Sequence, residues 1–359
     1  MINILIDADF LFKRIASVEG RKNTGFLKLP EDKIKLVQSV NTSLFYDCLQ
    51  YKSIGISDIS ICFDSKPNWR KLEYNDYKAK RIDNPTFDSK VLAETMEEYR
   101  EFLTNSGINT YKLPKFEADD IIAKLANYYY NNDESVVIIS ADSDIRQLVK
   151  SNPKNFISVY NSFNTEQCHY IDSIVTDKEN EIVELEAVDD FDVFSESTSF
   201  IKSKFELRNQ VVVEPSLILF KKMLSGDKGD NIGSCFKYNG MSFTNIRAES
   251  VSKKIPKITK EYIKELYDNE HARISLGIRL LNEVKCKDTS LLSKIDEGIK
   301  RNLKLIWLES FVLDADLRET IENLEIKKSS VDFKDGFPLS IFNGTPYETI
   351  LNTSYSKSI

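Results

Sequence analysis

The sequence predicts an α/β protein: a mostly parallel β-sheet with helices on both faces, followed by a run of helices. Three observations carry this. Short apolar runs alternate with segments of helical periodicity over roughly the first 160 residues. The runs INILI, ISICF and VVIIS are mostly apolar rather than alternating, as strands buried on both faces are. Several of them stop at an aspartate, and the C-terminal strand ends are where an open parallel sheet places its ligand site.

In order, residues 2–6 read as a strand closed by Asp7, with Asp9 two positions on. Residues 31–53 read as a helix whose apolar side includes Leu36, Val37, Val40 and Leu44. A second strand, 59–63, ends at Asp64. Aspartate is also a common turn residue, so strand termination alone explains each case singly. Between Lys66 and Arg81 come six bases (Lys66, Arg70, Lys71, Lys78, Lys80, Arg81) against Glu73 and Asp76, interleaved with Trp69, Tyr74 and Tyr77. Such a segment suits single-stranded nucleic acid, or is simply a solvated charged stretch with aromatic anchors. A helix follows at 91–106 and a strand at 109–113.

Phe116-Glu117-Ala118-Asp119-Asp120 then opens a helix carrying Ile121, Ile122, Leu125 and Ala126. Glu117 and Asp120 share a face by their spacing, while Asp119 points elsewhere. The helix dipole by itself favours acids there. The strongest strand, 136–140, leads into Ala141-Asp142-Ser143-Asp144, and a helix at about 145–150 and a strand near 156–160 follow. Residues 172–196 break the pattern with ten acids and the one base Lys178, and read as an exposed insertion. A helix at about 215–224 runs into Ser225-Gly226-Asp227-Lys228-Gly229-Asp230-Asn231. The remainder to about 325, including 272–284 and 296–312, reads as helical, with bases at Lys253 and Lys254, and residues 330–359 as irregular.

Composition narrows the chemistry. Hydrophobic residues are 41% and charged residues 29% of 359, and no apolar run approaches a membrane span. The start MINILIDADF shows no leader, and five unpaired-looking cysteines suit a reducing compartment, so a cytoplasmic protein is expected. With His169 and His271 alone, zinc sites and histidine-based nucleophilic catalysis are nearly excluded. Acids at strand ends or helix starts number nine: Asp7, Asp64, Glu117, Asp119, Asp120, Asp142, Asp144, Asp227 and Asp230. In one cleft they could not all stay ionised without counter-charge, which hard divalent cations with oxygen ligands provide. Two such ions about 4 Å apart stabilise attacking and leaving oxygens in phosphodiester hydrolysis, and lower the pKa of a bound water.

The segments LIDAD (5–9), CFDSKPNWRKLEYNDYKAKR (62–81), FEADD (116–120), ISADSD (139–144) and LSGDKGDN (224–231) resemble, in this order, the flap endonuclease/5′-nuclease superfamily. The likeness is nearest to its T-even phage ribonuclease H branch and covers roughly 1–165 and 207–325. The resemblance implies a PIN-like nuclease core at 1–165 with a helical arch at about 65–100, an acidic insertion at 166–206, an all-helical DNA-binding domain at 207–330 and a tail at 331–359. By motif position it implies that Asp7, Asp64, Glu117, Asp119, Asp142 and Asp144 hold two Mg2+ ions, with Mn2+ a possible substitute. Asp120, Asp227 and Asp230 would hold metal more loosely or through water. Lys78 and Arg81 would reach the scissile phosphate, Tyr77 would lie near the displaced nucleotide, and Arg70, Lys253 and Lys254 would contact nucleic acid. The implied activity is removal of RNA primers and 5′ flaps, on DNA and RNA–DNA hybrids, by a monomer.

The chain departs from the cellular pattern after Asn231, where NIGSCFKYNGMSFTNIRAES keeps only part of a glycine-rich hairpin that binds duplex backbone and potassium. A PIN-type RNA endonuclease and a catalytically silent DNA-binding protein of the same fold are the other readings. In the tail, Phe333, Phe337, Ile341, Phe342 and Tyr347 either pack back on the helical domain or dock a sliding clamp or single-strand-binding protein.

Overall fold

The computed structural model describes residues 1–22, 26–81, 86–162, 166–169, 209–238, 241–242 and 245–348. Its centre is strand β1 (Ile2–Asp7), every residue of which is buried. A strand buried on both faces must hydrogen-bond on both edges, and β1 does so in parallel with β2 (Ile56–Cys62) and β4 (Ser135–Ile139). Beyond β2 lies β3 (Asn109–Tyr111), also parallel. Beyond β4 lies β6 (Phe156–Asn161), parallel to it, with β5 (Lys150–Ser151) and β7 (Glu166–His169) antiparallel to β6. Strand β8 (Asn209–Val212) closes the order β3-β2-β1-β4-β6-β7-β8.

Alternation along the central strands divides the core into two apolar clusters. Ile4 and Ile6 of β1, with Val137 and Ile139 of β4, face helices α1 (Ala8–Lys22), α2 (Pro30–Leu49) and α4 (Ser89–Asn105). Leu5, Val136 and Ile138 face α5 (Ala118–Asn131). The helices after β8 are α6 (Pro215–Ser225), α7 (Asn245–Ser252), α8 (Lys260–Asp268), α9 (Glu270–Glu283), α10 (Leu292–Ile306) and α11 (Ala315–Glu322). Leu219, Phe220, Met223, Ile299 and Leu303 from these helices belong to the same cluster as α5 and Leu5. The C-terminal helical region therefore shares a core with the sheet.

Several expectations change in detail. Helix α1 follows directly on Asp7; its large buried apolar residues, Leu11 and Phe12, are few, and the bases and the buried Glu19 obscure their spacing. Residues 145–148 form a 3-10 turn rather than an α-helix, leading into β5. The C-terminal region is helical but begins with β8 and holds a two-stranded hairpin, β9 (Lys237–Tyr238) and β10 (Met241–Ser242). Where an arch was expected over about 65–100, the described residues 65–81 hold the five-residue helix α3 (Trp69–Glu73) and turns. Helix α4, which begins inside that range, buries Leu92, Met96, Tyr99 and Leu103 in the core. The acidic stretch 172–196 lies outside the described residues. No helix among the described residues is long and apolar enough to cross a membrane.

The tail aromatics pack back, but on the α1–α2–α4 face rather than on the C-terminal helices. Phe333, Phe337 and Phe342 are at most 3% exposed, so these rings are not available to a clamp or single-strand-binding protein. Phe342 stacks on Phe102 at 5.0 Å and lies parallel to Tyr99 at 6.1 Å between centroids. The Ser330 amide donates to Gly107 O at 2.8 Å, fixing the chain just before these aromatics. Truncating so buried a ring leaves a cavity its rigid neighbours cannot fill. Phe342→Ala is expected to cost about 3–5 kcal/mol in urea unfolding; an unchanged midpoint would mean the tail does not pack here.

Candidate active site

Parallel strands point their C-terminal ends the same way, and this topology gathers the acids. The register sets Asp7 of β1 beside Cys62 of β2, two residues before Asp64. Ile6 of β1 pairs with Ile139 of β4, which leads to Asp142. Helix α5 begins at the same edge because the Ala118 amide donates to Asp64 Oδ1 at 2.9 Å. Asp7, Asp64, Glu117, Asp119 and Asp142 thus line one cleft of about 490 Å³, together with Asp9, Lys13, Arg14, Arg21, Lys78 and Arg81.

The cleft is rigidly wired. Asp7 accepts from the Phe10 amide at 3.0 Å and the Ser140 hydroxyl at 3.0 Å. Ser140 Oγ accepts in turn from the Asp142 amide at 3.1 Å. Asp9 accepts from the Asp64 amide at 3.0 Å. Asp144 stands off the cleft wall and pairs with Lys222, which also lies 2.8 Å from Asp227. Asp230 pairs with Arg81 at 2.5 Å and with Lys78 at 3.8 Å.

These surroundings split the acids by charge state. Burial, aided by the charges of Asp9 and Asp142, raises Asp7 to about 6. Burial and Asp9 raise Asp64 to about 7 against the pull of Lys13. Burial outweighs Lys222 at Asp144, also raised to about 7. Asp119 is pushed well above the carboxylate range by burial and by Asp142 and Asp7. Glu117 goes the other way: burial would raise it, but Arg70 and Lys78 bring it down to about 2. Asp227 is lowered because Lys222 and two backbone amides overcome its burial.

Three sequence assignments need correction. Arg70 does not face nucleic acid. It is 3% exposed, donates to both oxygens of Asp120 at 2.7 and 2.9 Å and to Glu117 at 3.1 Å, and reaches Leu305 O at 2.8 Å. Asp120 correspondingly is occupied: besides Arg70 it accepts from Trp69 Nε1 and from the Glu117 amide, both at 3.1 Å, and caps α5. Tyr77, expected beside a nucleotide, is 3% exposed, with its hydroxyl 2.7 Å from Glu117 Oε2 and 2.8 Å from Asp230 Oδ2. Lys253 and Lys254 lie just past α7, away from the cleft lining, and pair with Glu249 and Glu283. Lys78 and Arg81 do reach the acids. The sequence reasoning did not single out Lys13, Ser140 and Lys222, and left Asp9 out of its acid set. Asp9 was visible in Asp7-Ala8-Asp9, and Lys13 only through the four-residue spacing from it that a helix at 8–22 provides.

Among the described residues no three His, Cys, Asp or Glu side chains are gathered as a finished metal centre. The donor chemistry nonetheless fits a hard cation: carboxylate oxygens from four elements, several shifted towards the protonated form by burial and by one another's charge.

A family model described as the 5′-3′ exonuclease N-terminal resolvase-like domain matches residues 5–184. The flap endonuclease Xni of Tolumonas auensis is 30% identical over 151 residues, 41% of this chain and 54% of that protein. The flap endonuclease Xni of Pseudoalteromonas translucida is 29% identical over 170 residues, 47% and 60% of the respective chains. DNA polymerase I of Streptococcus pneumoniae is 27% identical over 209 residues, 56% of this chain and 19% of the polymerase. The matches to the two flap endonucleases span about half to three-fifths of their length. Among solved structures, a T5 protein co-crystallised with metal ions superposes with TM-score 0.52 at 17% identity, over 90% of this chain and 97% of that one. The bacteriophage T5 flap endonuclease in a pseudo-enzyme–product complex with DNA and metal ions gives 0.51 at 15% identity over the same shares. At such identities the likeness concerns the fold. With half the chain matched by one model at the strands that build the acidic cleft, this protein belongs to the 5′-3′ exonuclease family.

Proposed function

We propose that the chain is a divalent-metal-dependent, structure-specific 5′-nuclease that hydrolyses phosphodiesters at 5′ flaps and nicks in DNA and in RNA–DNA hybrids. The observation that carries this is the meeting of five cleft acids, from the ends of β1, β2 and β4 and the start of α5, with two bases, Lys78 and Arg81. Asp7, Asp64, Glu117, Asp119 and Asp142 would hold Mg2+ or Mn2+, with Asp144, Asp227 and Asp230 behind them. Two ions there would neutralise developing charge on oxygen and lower the pKa of a bound water. The protein's own share is positional. Ser140 and the Phe10 amide fix the Asp7 carboxylate, and the Ala118 amide fixes Asp64. Arg70, Lys78 and the Tyr77 hydroxyl keep Glu117 ionised as a ligand must be. Lys78 and Arg81, now on Glu117 and Asp230, would turn to the phosphate as those acids gain other counter-charge.

In this reading residues 1–165 form the nuclease core and 207–330 grip duplex, with Lys253 and Lys254 contributing outside the cleft. The protein would act as a monomer in a cytoplasmic setting, removing RNA primers and flaps during lagging-strand synthesis, in a bacterial host if phage-encoded. The homologues' flap endonuclease and exonuclease names support the flap and 5′-end substrates.

The direct test is digestion of a labelled 5′-flap, an RNA–DNA hybrid and matched single-stranded RNA, with Mg2+ and with chelator. Asp142→Ala combined with Asp144→Ala is expected to abolish cleavage, a loss of at least about 10³-fold, while flap binding remains measurable. Cleavage of the RNA strand alone, or cleavage surviving chelator, would remove the proposal.

A pH dependence follows from the raised acids. Asp7, Asp64 and Asp144 keep protons when folded that an unfolded chain releases near pH 4. The folded state therefore binds more protons between about pH 4 and 7. The stability these groups contribute is complete below that window and lost as pH rises through about 6 to 7. Glu117 runs oppositely: its contribution is present above about pH 4.3 and lost as pH falls towards 2. The melting temperature of chelator-treated protein is expected to fall from pH 5 to pH 8, and Mg2+ to flatten that fall. A rise over the same interval in chelator would contradict the assigned protonation.

A further inference from the structure

Two lysines that belong to none of the five motifs sit between the acids. Lys13 Nζ lies 2.6 Å from Asp9 and 3.8 Å from Asp64, joining the first turn of α1 to the end of β2. Lys222 Nζ, from α6, contacts Asp144, lies 2.8 Å from Asp227 and 2.8 Å from Ser143 Oγ, joining the turn after β4 to the loop after α6. Each ammonium thus bridges carboxylates from two elements, the task expected of a bound cation. The two differ from Lys78, whose partners are the acids facing the proposed phosphate position.

We propose that Lys13 and Lys222 are internal counter-cations of the cleft, which hold its acids together in the metal-free chain and compete with the divalent ions. This rests on the metal-dependent reading above. An ammonium fixed a few ångströms from a dication repels it, while in the dication's absence it relieves repulsion among the acids. The lysines therefore lower divalent affinity and raise metal-free stability together. Lys13 is held by the four-residue spacing to Asp9 on one helix face, so it stays at its post without a partner from elsewhere. Lys222 is only 17% exposed and is tethered on two sides, so its displacement is the costlier of the two.

The test uses the full chain, stripped of metal and without nucleic acid, titrated with Ca2+ and separately with Mg2+ by calorimetry and by thermal denaturation. Lys13→Met and Lys222→Met keep length while removing charge; Lys13→Arg and Lys222→Arg keep charge. The Met variants are expected to melt lower in chelator and to bind Ca2+ on the order of tenfold tighter or more, with a larger metal-induced rise in melting temperature. The Arg variants should stay near the unaltered chain. If Lys222→Met does not fold without metal, recovery of its near-ultraviolet circular dichroism at lower Ca2+ than the unaltered chain needs for half-saturation supports the inference; no recovery overturns it for Lys222. Binding by the unaltered chain with equal or weaker binding by the Met variants overturns this inference alone. Absence of divalent binding by the unaltered chain removes the metal-dependent reading, and the inference with it.

Discussion

Like charge confined to one edge of a sheet is the constraint that the rest of this structure answers. A parallel arrangement of β1, β2 and β4 sends all three C-terminal ends to the same side. Each of these ends leads to an aspartate, so repulsion is built in by topology rather than by any one contact. The molecule answers it in three ways. Asp7, Asp64, Asp119 and Asp144 are shifted towards the protonated form. Lys13, Lys78 and Lys222 bridge pairs of acids. A buried guanidinium takes Asp120 and one oxygen of Glu117.

That guanidinium decides how the two halves of the chain meet. Arg70 presents a planar fork to Asp120 and spends its remaining Nε–H on Leu305 O in α10. Lysine could not make these bonds, because its donors do not lie in one plane. Trp69 beside it donates to the same carboxylate, so α3 is fastened to the start of α5 by two side chains. The aromatic residues of this segment are thereby used for anchoring, and Tyr77 continues the pattern between Glu117 and Asp230. A buried pair of this kind costs desolvation, and breaking it on one side costs more than its absence would. The acidic start of α5 and the base of the 66–81 segment hence form one unit.

Legibility from sequence followed the range of the interactions involved. Strands β1, β2, β4 and β6 were plain because burial on both faces leaves a short, mostly apolar run. The acids at their ends were equally plain. Helix α1 was not, since Leu11, Phe12 and Ala16 are too few to show a period among bases. Periodicity did separate Asp119 from the Glu117–Asp120 face: Arg70 binds that pair, while Asp119 turns to the cleft. What spacing could not reveal is that Arg70 would claim Asp120, because the partners are 50 positions apart. Basic and aromatic composition over 66–81 suggested a solvated nucleic-acid surface for the same reason. Composition counts groups without recording which acids they will meet.

Net charge is uninformative for a related reason. The whole chain carries −7, which speaks against a nucleic-acid partner. Residues 172–196 hold ten acids and one base, a balance of −9, so everything outside that stretch carries +2. Within that remainder the acids of the cleft are largely offset, by protons and by Lys13, Arg70, Lys78 and Lys222. Screening limits each group's influence to about 8–10 Å in physiological salt. A phosphate approaching Lys78 and Arg81 therefore meets the local balance of those few residues, not the total. The charge that matters to such a ligand is the one left over after the acids and bases of the cleft have found each other.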